Sequence, residues 1–366
     1  MNGVSKTIAN GIRTLDLALL IPIGLLILIS LAALYTSSQG DIDKVWSQVQ
    51  NFSIAATLLV LVANCPHHYL VKVGMPLYII GVVLLLMTAL FGEQSNGAQR
   101  WLNLHVVRIQ PSELLKLALP LALAWYFDRY EHVLRGQNFI VATCLLIVPV
   151  GLILKQPDLG TAILIGASGF FVLFFAGLSL RVLGFLAATT LVALPFGWGL
   201  LHEYQQNRIL MMLDPTSDPL GAGYHTIQST IAIGSGGFWG KGWMEGTQAQ
   251  LNFLPEGSTD FVLAVIGEEF GFVGIATIFA IYAFLIARGL MISASATSAF
   301  DRLVAISITL TFFLYAFVNV GMVIGLLPVV GVPLPLVSYG GTSAVTIMLS
   351  LGVLMNIHSS RRLIQS

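Results

Sequence analysis

The stretch that decides the fold is an apolar run near the start of the chain, LALLIPIGLLILISLAALY at residues 17–35. A helix rises about 1.5 Å per residue, so a run of this length crosses a hydrocarbon core about 30 Å thick. The run is too long for the core of a signal peptide, no small-residue cleavage site follows it, and many similar runs come after it. It is therefore predicted to be a retained transmembrane helix.

Comparable runs recur along all 366 residues, and the composition agrees with them. Hydrophobic residues make up 56% of the chain and charged residues 9%, against about 25% charged residues in soluble proteins. The sequence therefore predicts an all-α polytopic membrane protein built as one transmembrane domain, residues 1–366. The runs give ten candidate spans, at residues 15–35, 51–66, 72–92, 112–128, 138–155, 159–179, 182–203, 261–288, 303–327 and 335–357.

Hydropathy limits the number of spans, and the distribution of charged residues indicates their orientation. Hydropathy alone permits eight to ten spans, because the second run is short and ends at Pro66 and the fourth contains Glu113 and Lys116. With ten spans both termini lie on one side, and most Lys and Arg residues fall on that side, which the positive-inside rule makes cytoplasmic. Most acidic residues then lie outside. The formal net charge of zero gives no reason to expect a nucleic-acid partner.

The connection at residues 203–260 is much longer than a helix connection requires, and long connections usually carry function. It is predicted to be a long extracytoplasmic loop between the seventh and eighth helices. It contains a Pro-rich turn at 214–219, an amphipathic stretch at 224–233 and a glycine-rich stretch at 234–246. The glycines indicate turns and close backbone approach, because no Walker pattern accompanies them. A flexible linker is an equally good interpretation.

Two groups of charged residues stand at predicted outer helix ends. Arg100 and Arg108 precede the segment QPSELLK at 110–116, in which Glu113 and Lys116 lie on one helical face and can pair. An internal ion pair that anchors a helix end explains this group equally well.

The second group is KQPDLGT at 155–161, a tight turn with Lys155 and Asp158 at its two ends. A cap on the following helix is a sufficient structural reason for Asp158, and this interpretation is favoured.

The third group is LPEGSTDF at 254–261, where the long loop returns to the membrane. Asp260 is expected at or just inside a helix N-terminus, where Ser258 or Thr259 can cap. A carboxylate in this position is common for structural reasons alone. Glu268 and Glu269 are harder to explain, because adjacent helical residues point about 100° apart, so at least one should face a polar interior.

The motifs together resemble the SEDS family (shape, elongation, division and sporulation proteins). They stand in order along the chain as NGAQRW at 96–101, QPSELLK at 110–116, QPDLGT at 156–161, LPE and TDF at 254–256 and 259–261, and LPLVSYGG at 334–341. The compact length with short tails resembles the member for rod elongation more than the member for division.

The resemblance implies a fold, an activity and a partner. It implies ten helices in the bacterial cytoplasmic (inner) membrane and a peptidoglycan glycosyltransferase that polymerises lipid II into a nascent glycan strand at the outer, periplasmic face. It also implies a class B penicillin-binding protein as cross-linking partner, docked at the eighth and ninth helices. In the family the Asp of Thr-Asp-Phe is the essential acidic residue, here Asp260. The chain has Ser258 where the family often has His, so no neighbouring imidazole assists Asp260.

The charged residues at the predicted outer side are of the types that glycosyl transfer needs. Transfer of a sugar from a pyrophosphate donor needs a base for the acceptor hydroxyl and positive charge for the leaving group. Asp260 is the candidate base in an inverting single displacement, because no paired nucleophile is apparent. The predicted substrate-binding residues are Arg100, Arg108, Glu113, Lys116, Lys155, Asp158 and Arg208.

The sequence predicts no metal site built by protein side chains, because no histidine pair stands at a convincing zinc spacing. The resemblance leaves room for a divalent cation, Mg²⁺ or Mn²⁺, bridged to the substrate pyrophosphate. No organic cofactor is expected.

Two functions of other classes compete with this prediction: a lipid II flippase or transporter, and a non-catalytic scaffold for cell-wall enzymes. A carrier should line a path through both halves of the membrane with polar residues. Here the acids and the long loop concentrate outside, which favours an enzyme at the outer face.

Overall fold

The computed structural model describes residues 15–95, 98–103, 108–130, 136–197, 199, 203–219, 223–251, 253–254 and 256–365. Helices dominate these residues. In chain order they are α1 (Leu17–Ser37), α2 (Ile42–Ala63), α3 (His67–Phe91), α4 (Pro111–Arg129), α5 (Gly136–Lys155), α6 (Leu159–Phe175), α7 (Leu180–Gly197), α8 (Glu203–Leu213), α9 (Tyr224–Gly236), α10 (Thr247–Gln250), α11 (Val262–Ala294), α12 (Ala299–Val323) and α13 (Gly341–Gln365).

Each predicted span falls on a separate helix, with residues 198 and 200–202 at the end of the seventh lying outside the described residues, and the all-α polytopic class is confirmed. By length and composition, seven helices in the described part of the chain can cross a membrane, and α6 is a shorter apolar helix. The second run extends at its N-terminal side, because α2 begins at Ile42 with Asp41 as its N-cap. The exact number of spans and their orientation stay predictions.

The fourth predicted span, which hydropathy left uncertain, is the central helix α4. Leu115, Leu119 and Leu123 on α4 are completely buried. Because the other helices surround it, α4 can carry Glu113 and Lys116 without placing their charges in lipid.

A small antiparallel sheet joins α3 to α4 and was not predicted. Its strands are β1 (Glu93–Ser95), β2 (Ala98–Asn103) and β3 (Arg108–Ile109), in the order β1-β2-β3. The sheet places Arg100 on its middle strand.

The described residues of the long connection are folded, and from Tyr224 onward they pack against the helices, which excludes the flexible-linker interpretation for them. The connection contains α8, a 3₁₀ turn at Pro215–Ser217, α9 and α10. Asp214 caps the 3₁₀ turn by accepting a hydrogen bond from the N–H of Thr216. Ser229 on α9 is completely buried and donates to the carbonyl of Val323 at 2.7 Å. The amphipathic stretch is therefore a helix packed on the bundle.

The ion pair between Arg288 and Asp16 lies at one end of the helical bundle, and Asp260 lies at the other. At one end, Arg288 near the end of α11 pairs with Asp16, the N-cap of α1, at 2.7 Å, and its guanidinium lies 3.2 Å from His358 on α13. The start of α1 and the last turns of α13 therefore lie at the same end, as the prediction for the termini requires. Asp260 precedes the first turn of α11 and lies at the other end.

Candidate active site

Asp260 lies just outside α11 and not in its first turn. Phe261 is the N-cap of α11, and no side chain makes a capping hydrogen bond there. The expectation that Ser258 or Thr259 caps this helix is therefore wrong. Thr259 instead turns its hydroxyl back to the carboxylate of Glu256 at 2.5 Å, which tightens the turn before the helix.

The turn that carries Asp260 is held by two elements distant in sequence. Asn319 on α12 donates from its side-chain amide to the backbone carbonyl of Asp260 at 2.8 Å. The hydroxyl of Ser338, in the connection to α13, donates to the carbonyl of Thr259 at 2.5 Å. These contacts fix the backbone at Asp260, and neither of them involves its carboxylate.

The carboxyl group of Asp260 has a raised pKa. Partial burial, and secondly the negative charge of Glu256, raise the pKa of Asp260 from 3.8 to about 6, while Arg208 and Arg100 oppose the rise. A carboxylate with a pKa close to the working pH is suited to accept a proton in a reaction and to release it afterwards. Two of the predicted cations, Arg100 and Arg208, are thus within electrostatic range of the predicted base.

Asp158 is both the predicted helix cap and an ion-pair partner. Its Oδ1 accepts a hydrogen bond from the N–H of Thr161 at 3.2 Å, which confirms the cap on α6. Its Oδ2 lies 3.3 Å from Nε of Arg100 on β2. Asp158 is almost fully buried and so holds the guanidinium of Arg100 at this end of the bundle.

Glu113 and Lys116 form the predicted pair on α4. Their side chains make a 2.5 Å contact and are largely buried, and the ammonium lies 4.9 Å from the ring centre of Tyr315 on α12. The second carboxylate oxygen of Glu113 is buried without a hydrogen-bond partner in the described residues. A cavity beside this pair also has hydroxyl groups on its walls, from Thr311, Tyr315, Ser343, Thr346 and Ser350.

Tyr315 on α12 lies near both the Glu113–Lys116 pair and Asp158. It lies within electrostatic range of Lys116, Glu113 and Asp158. The structure therefore brings Asp260, Arg100, Arg208 and Asp158 together at one end of the bundle, and the Glu113–Lys116 pair lies beside Tyr315. Lys155 is exposed at the end of α5. The side chain of Arg108 lies outside the described residues.

Three residues of the site were not singled out from the sequence. Ser338 stands inside the LPLVSYGG motif, so the motif was a usable signal for it. Asn319 is a completely buried amide in an apolar helix, which is also a recognisable signal. Tyr315 lies in an aromatic-rich helix, and nothing in the local sequence distinguishes it from a packing residue.

Comparisons with known proteins agree on one family. The model of the cell cycle protein family FtsW/RodA/SpoVE matches residues 12–363. The peptidoglycan glycosyltransferase MrdB of Escherichia coli K12 is 46% identical over 351 residues, which cover 96% of this chain and 95% of that protein. A probable peptidoglycan glycosyltransferase FtsW of Trichlorobacter lovleyi is 38% identical over 296 residues, 79% of this chain and 77% of that protein.

Solved structures give the same result. A chain from a structure described as the coordination of polymerization and crosslinking by a peptidoglycan synthase complex superposes with a TM-score of 0.81 at 32% identity, covering 94% of this chain and 98% of that one. The rod shape determining protein RodA of Thermus thermophilus superposes with a TM-score of 0.72 at 27% identity, covering 94% of this chain and 97% of that one.

Proposed function

This chain belongs to the FtsW/RodA/SpoVE family of cell cycle proteins, the SEDS family, and from that membership we propose how its charged residues work in a peptidoglycan glycosyltransferase. The chain is an integral membrane protein with the activity named for its relatives, and the 46% identity to MrdB of Escherichia coli places it with the elongation members.

The substrate is lipid II, and the reaction is glycosyl transfer between two lipid-linked sugars. The observation that carries this proposal is the meeting of a carboxylate of raised pKa, Asp260, with the cations Arg100 and Arg208. Asp260 takes the proton of the acceptor hydroxyl as the new C–O bond forms. The bond from the sugar to the pyrophosphate breaks at the same time, and the cations stabilise the negative charge that leaves with the lipid. An inverting single displacement requires only this one carboxylate.

A divalent cation, Mg²⁺ or Mn²⁺, fits this site as a companion of the substrate pyrophosphate. In the part of the chain that the structure describes, no three His, Cys, Asp or Glu side chains are grouped to hold a metal. Such an ion would take its ligands from the pyrophosphate and from water, and would supply positive charge for the leaving group.

The reaction takes place at the outer face of the inner membrane. Two observations support this side: most basic residues fall at the opposite, predicted cytoplasmic side, and Asp260 follows the long connection. A flippase and a scaffold are the competing functions.

Purified chain with a class B penicillin-binding protein, labelled lipid II and moenomycin should yield glycan strands, and chelation of divalent ions should slow their formation. Translocation of labelled lipid II across liposomes without strand formation would favour the flippase instead. If neither strands nor translocation is observed, the scaffold is favoured.

The pH dependence of strand formation tests Asp260 as the base. Because the base must be deprotonated, we expect the rate to fall about tenfold per pH unit below the pKa of Asp260, which is about 6. Glu256→Gln removes a negative neighbour that raises this pKa, so the acid limb of the profile should move to lower pH. A limb that does not move with Glu256→Gln contradicts the assignment.

The partner is a class B penicillin-binding protein that docks on α11 and α12. These helices form an apolar groove that includes Phe279, Phe313 and Phe317, all exposed. The similar chain from a peptidoglycan synthase complex supports this type of partner. A single transmembrane helix fits such a groove, because helices associate in lipid by close packing.

Substitution of exposed phenylalanines in this groove tests whether the transpeptidase docks there. Phe313→Ala with Phe317→Ala should weaken co-purification of the transpeptidase by about fivefold or more, since large interface aromatics typically contribute at least about 1 kcal/mol. Phe185→Ala, at an exposed position on α7, is the matched control and should leave co-purification unchanged. Equal co-purification of the double variant would place the partner elsewhere.

A further inference from the structure

Helix α11 is broken close to the candidate base. Gly271 has φ +62° and ψ −156°, which is not helical, so Val262–Phe270 forms a half-helix with Asp260 just before its first residue. In an unbroken helix, the N–H groups of Phe272 and Val273 would donate to the carbonyls of Glu268 and Glu269. The break removes both hydrogen bonds and leaves four backbone groups that need partners inside the protein.

The glycine-rich stretch supplies those partners. We call residues 236–242 the insert. Phe272 N–H donates to the carbonyl of Gly237 at 2.9 Å, and Val273 N–H donates to that of Phe238 at 3.2 Å. Two N–H groups of the insert complete the exchange: that of Lys241 donates to the carbonyl of Glu268, and that of Gly242 donates to the carbonyl of Glu269, each at 3.0 Å. The insert thus occupies the break in α11.

The close approach of the two backbones requires glycine. A Cβ atom at Gly240, which has φ +84°, would lie 2.0 Å from the carbonyl oxygen of Glu269. A Cβ atom at Gly236 would lie 1.9 Å from the carbonyl oxygen of Gly267. The prediction that these glycines serve close backbone approach is confirmed.

A buried ion pair fastens the insert to the half-helix. Glu268 is completely buried, and its Oε1 accepts hydrogen bonds from Lys241 Nζ at 2.7 Å and from the Thr247 hydroxyl at 3.0 Å. The N–H of Gln248 also donates to this carboxylate, at 3.1 Å. The prediction that at least one of the two glutamates faces a polar environment is therefore confirmed by Glu268. All of these partners belong to the insert or to the residues that follow it.

We propose that Lys241 and Glu268 are positioning residues for Asp260, because their ion pair locks the insert into the broken helix and thereby fixes the half-helix that Asp260 precedes. The opposite end of the half-helix is held by Asn319 and Ser338. The half-helix is thus clamped at both ends, and loss of the ion pair frees one of them. The proposal rests on the proposed role of Asp260 as base.

Four variants in the complex with the transpeptidase test the ion pair: Lys241→Met, Lys241→Arg, Glu268→Gln, and Lys241→Met with Glu268→Gln. Hydrogen exchange of residues 237–250 in nanodiscs reports on the insert independently of activity. Both single neutral variants should exchange faster there than the wild type. Lys241→Arg keeps the charge and should retain wild-type exchange. The double variant should exchange more slowly than Lys241→Met, because it leaves no uncompensated buried carboxylate.

The kinetics distinguish positioning from simple loss of folded protein. The single neutral variants should lose between about 10- and 100-fold in kcat, since small displacements of a catalytic group are costly. Their KM for lipid II should change by less than about threefold. The acid limb of the pH profile should move to lower pH, because a loosened Asp260 gains water and its pKa falls toward the ordinary value. Fewer folded molecules would lower the rate without moving this limb.

The outcomes separate this proposal from the proposed function. Unchanged exchange of residues 237–250 in both single variants, or faster exchange with unchanged kcat and acid limb, overturns the positioning role. Full activity of Asp260→Asn would overturn the proposed base, and the positioning of that base with it, while the exchange data would still show whether the ion pair holds the insert.

Discussion

Replacement of Asp260 by Asn should lower the rate of lipid II polymerisation by at least about 100-fold, the usual contribution of a positioned general base. The amide has nearly the shape of the carboxylate but cannot take the proton of the acceptor hydroxyl. The backbone of this turn is held through carbonyl groups, by Asn319 at Asp260 and by Ser338 at Thr259, and the substitution leaves both contacts in place. The variant should therefore fold and keep its partner. Strand formation by the purified complex, with moenomycin present, measures the effect.

A matched control separates the role of Asp260 from the general effect of removing an acidic residue at the predicted outer side of the membrane. Asp43, exposed in the first turn of α2 near the predicted outer end, offers the same carboxylate in a different place. Asp43→Asn should polymerise lipid II at the wild-type rate. A similar loss in both variants would assign the effect to surface charge and not to a base.

Replacement of Lys116 by Met should destabilise the protein by about 3–5 kcal/mol, because it leaves a largely buried carboxylate without its ion-pair partner. The side chains of Lys116 and Glu113 have relative exposures of only 9% and 13%, so solvent compensates the lost charge poorly. Tyr315 also loses the cation over its ring. The thermal unfolding midpoint in detergent measures the loss, and polymerisation should fall with it.

The double variant Lys116→Met with Glu113→Gln tests the reason for this loss. Without the carboxylate no uncompensated charge remains, so the double variant should unfold at a higher temperature than Lys116→Met alone. Lys44→Met, at an exposed position on α2, is the control for removing a lysine and should leave the midpoint unchanged. A double variant less stable than the single one would show that the two residues are not a compensating pair.

The helices could be predicted because the bilayer imposes their length and composition. A run such as residues 17–35 must satisfy its backbone hydrogen bonds within itself, so an apolar run of this length has few other structures available. The run at 112–128, one of the two least certain, shows the limit of this reasoning. Hydropathy treats every helix as facing lipid, whereas α4 faces protein and can carry a Glu113–Lys116 pair.

The candidate site was predicted in part. The capping role of Asp158 follows from local sequence, but its pairing with Arg100 joins residues on different elements. Asn319 and Ser338 reach the turn of Asp260 from later parts of the chain. Such contacts depend on how the helices pack, which local pattern does not specify.

The break in α11 was the largest departure from expectation. The run at 261–288 reads as one continuous span, and Gly271 is only one of its three glycines, so its presence is not a sufficient signal for a break. The glycine-rich stretch at 234–246 predicted close backbone approach but not the element approached. Only the structure shows that the insert replaces the missing hydrogen bonds of Phe272 and Val273.

A single-turnover measurement on lipid II bound to the purified complex, comparing the wild type with Asp260→Asn, tests the role of Asp260 without interference from product release. If Asp260 is the base, both proteins should bind lipid II with similar affinity, and only the wild type should join the bound sugars. Conversion of the bound lipid II by Asp260→Asn at the wild-type rate would exclude Asp260 as the base for glycosyl transfer.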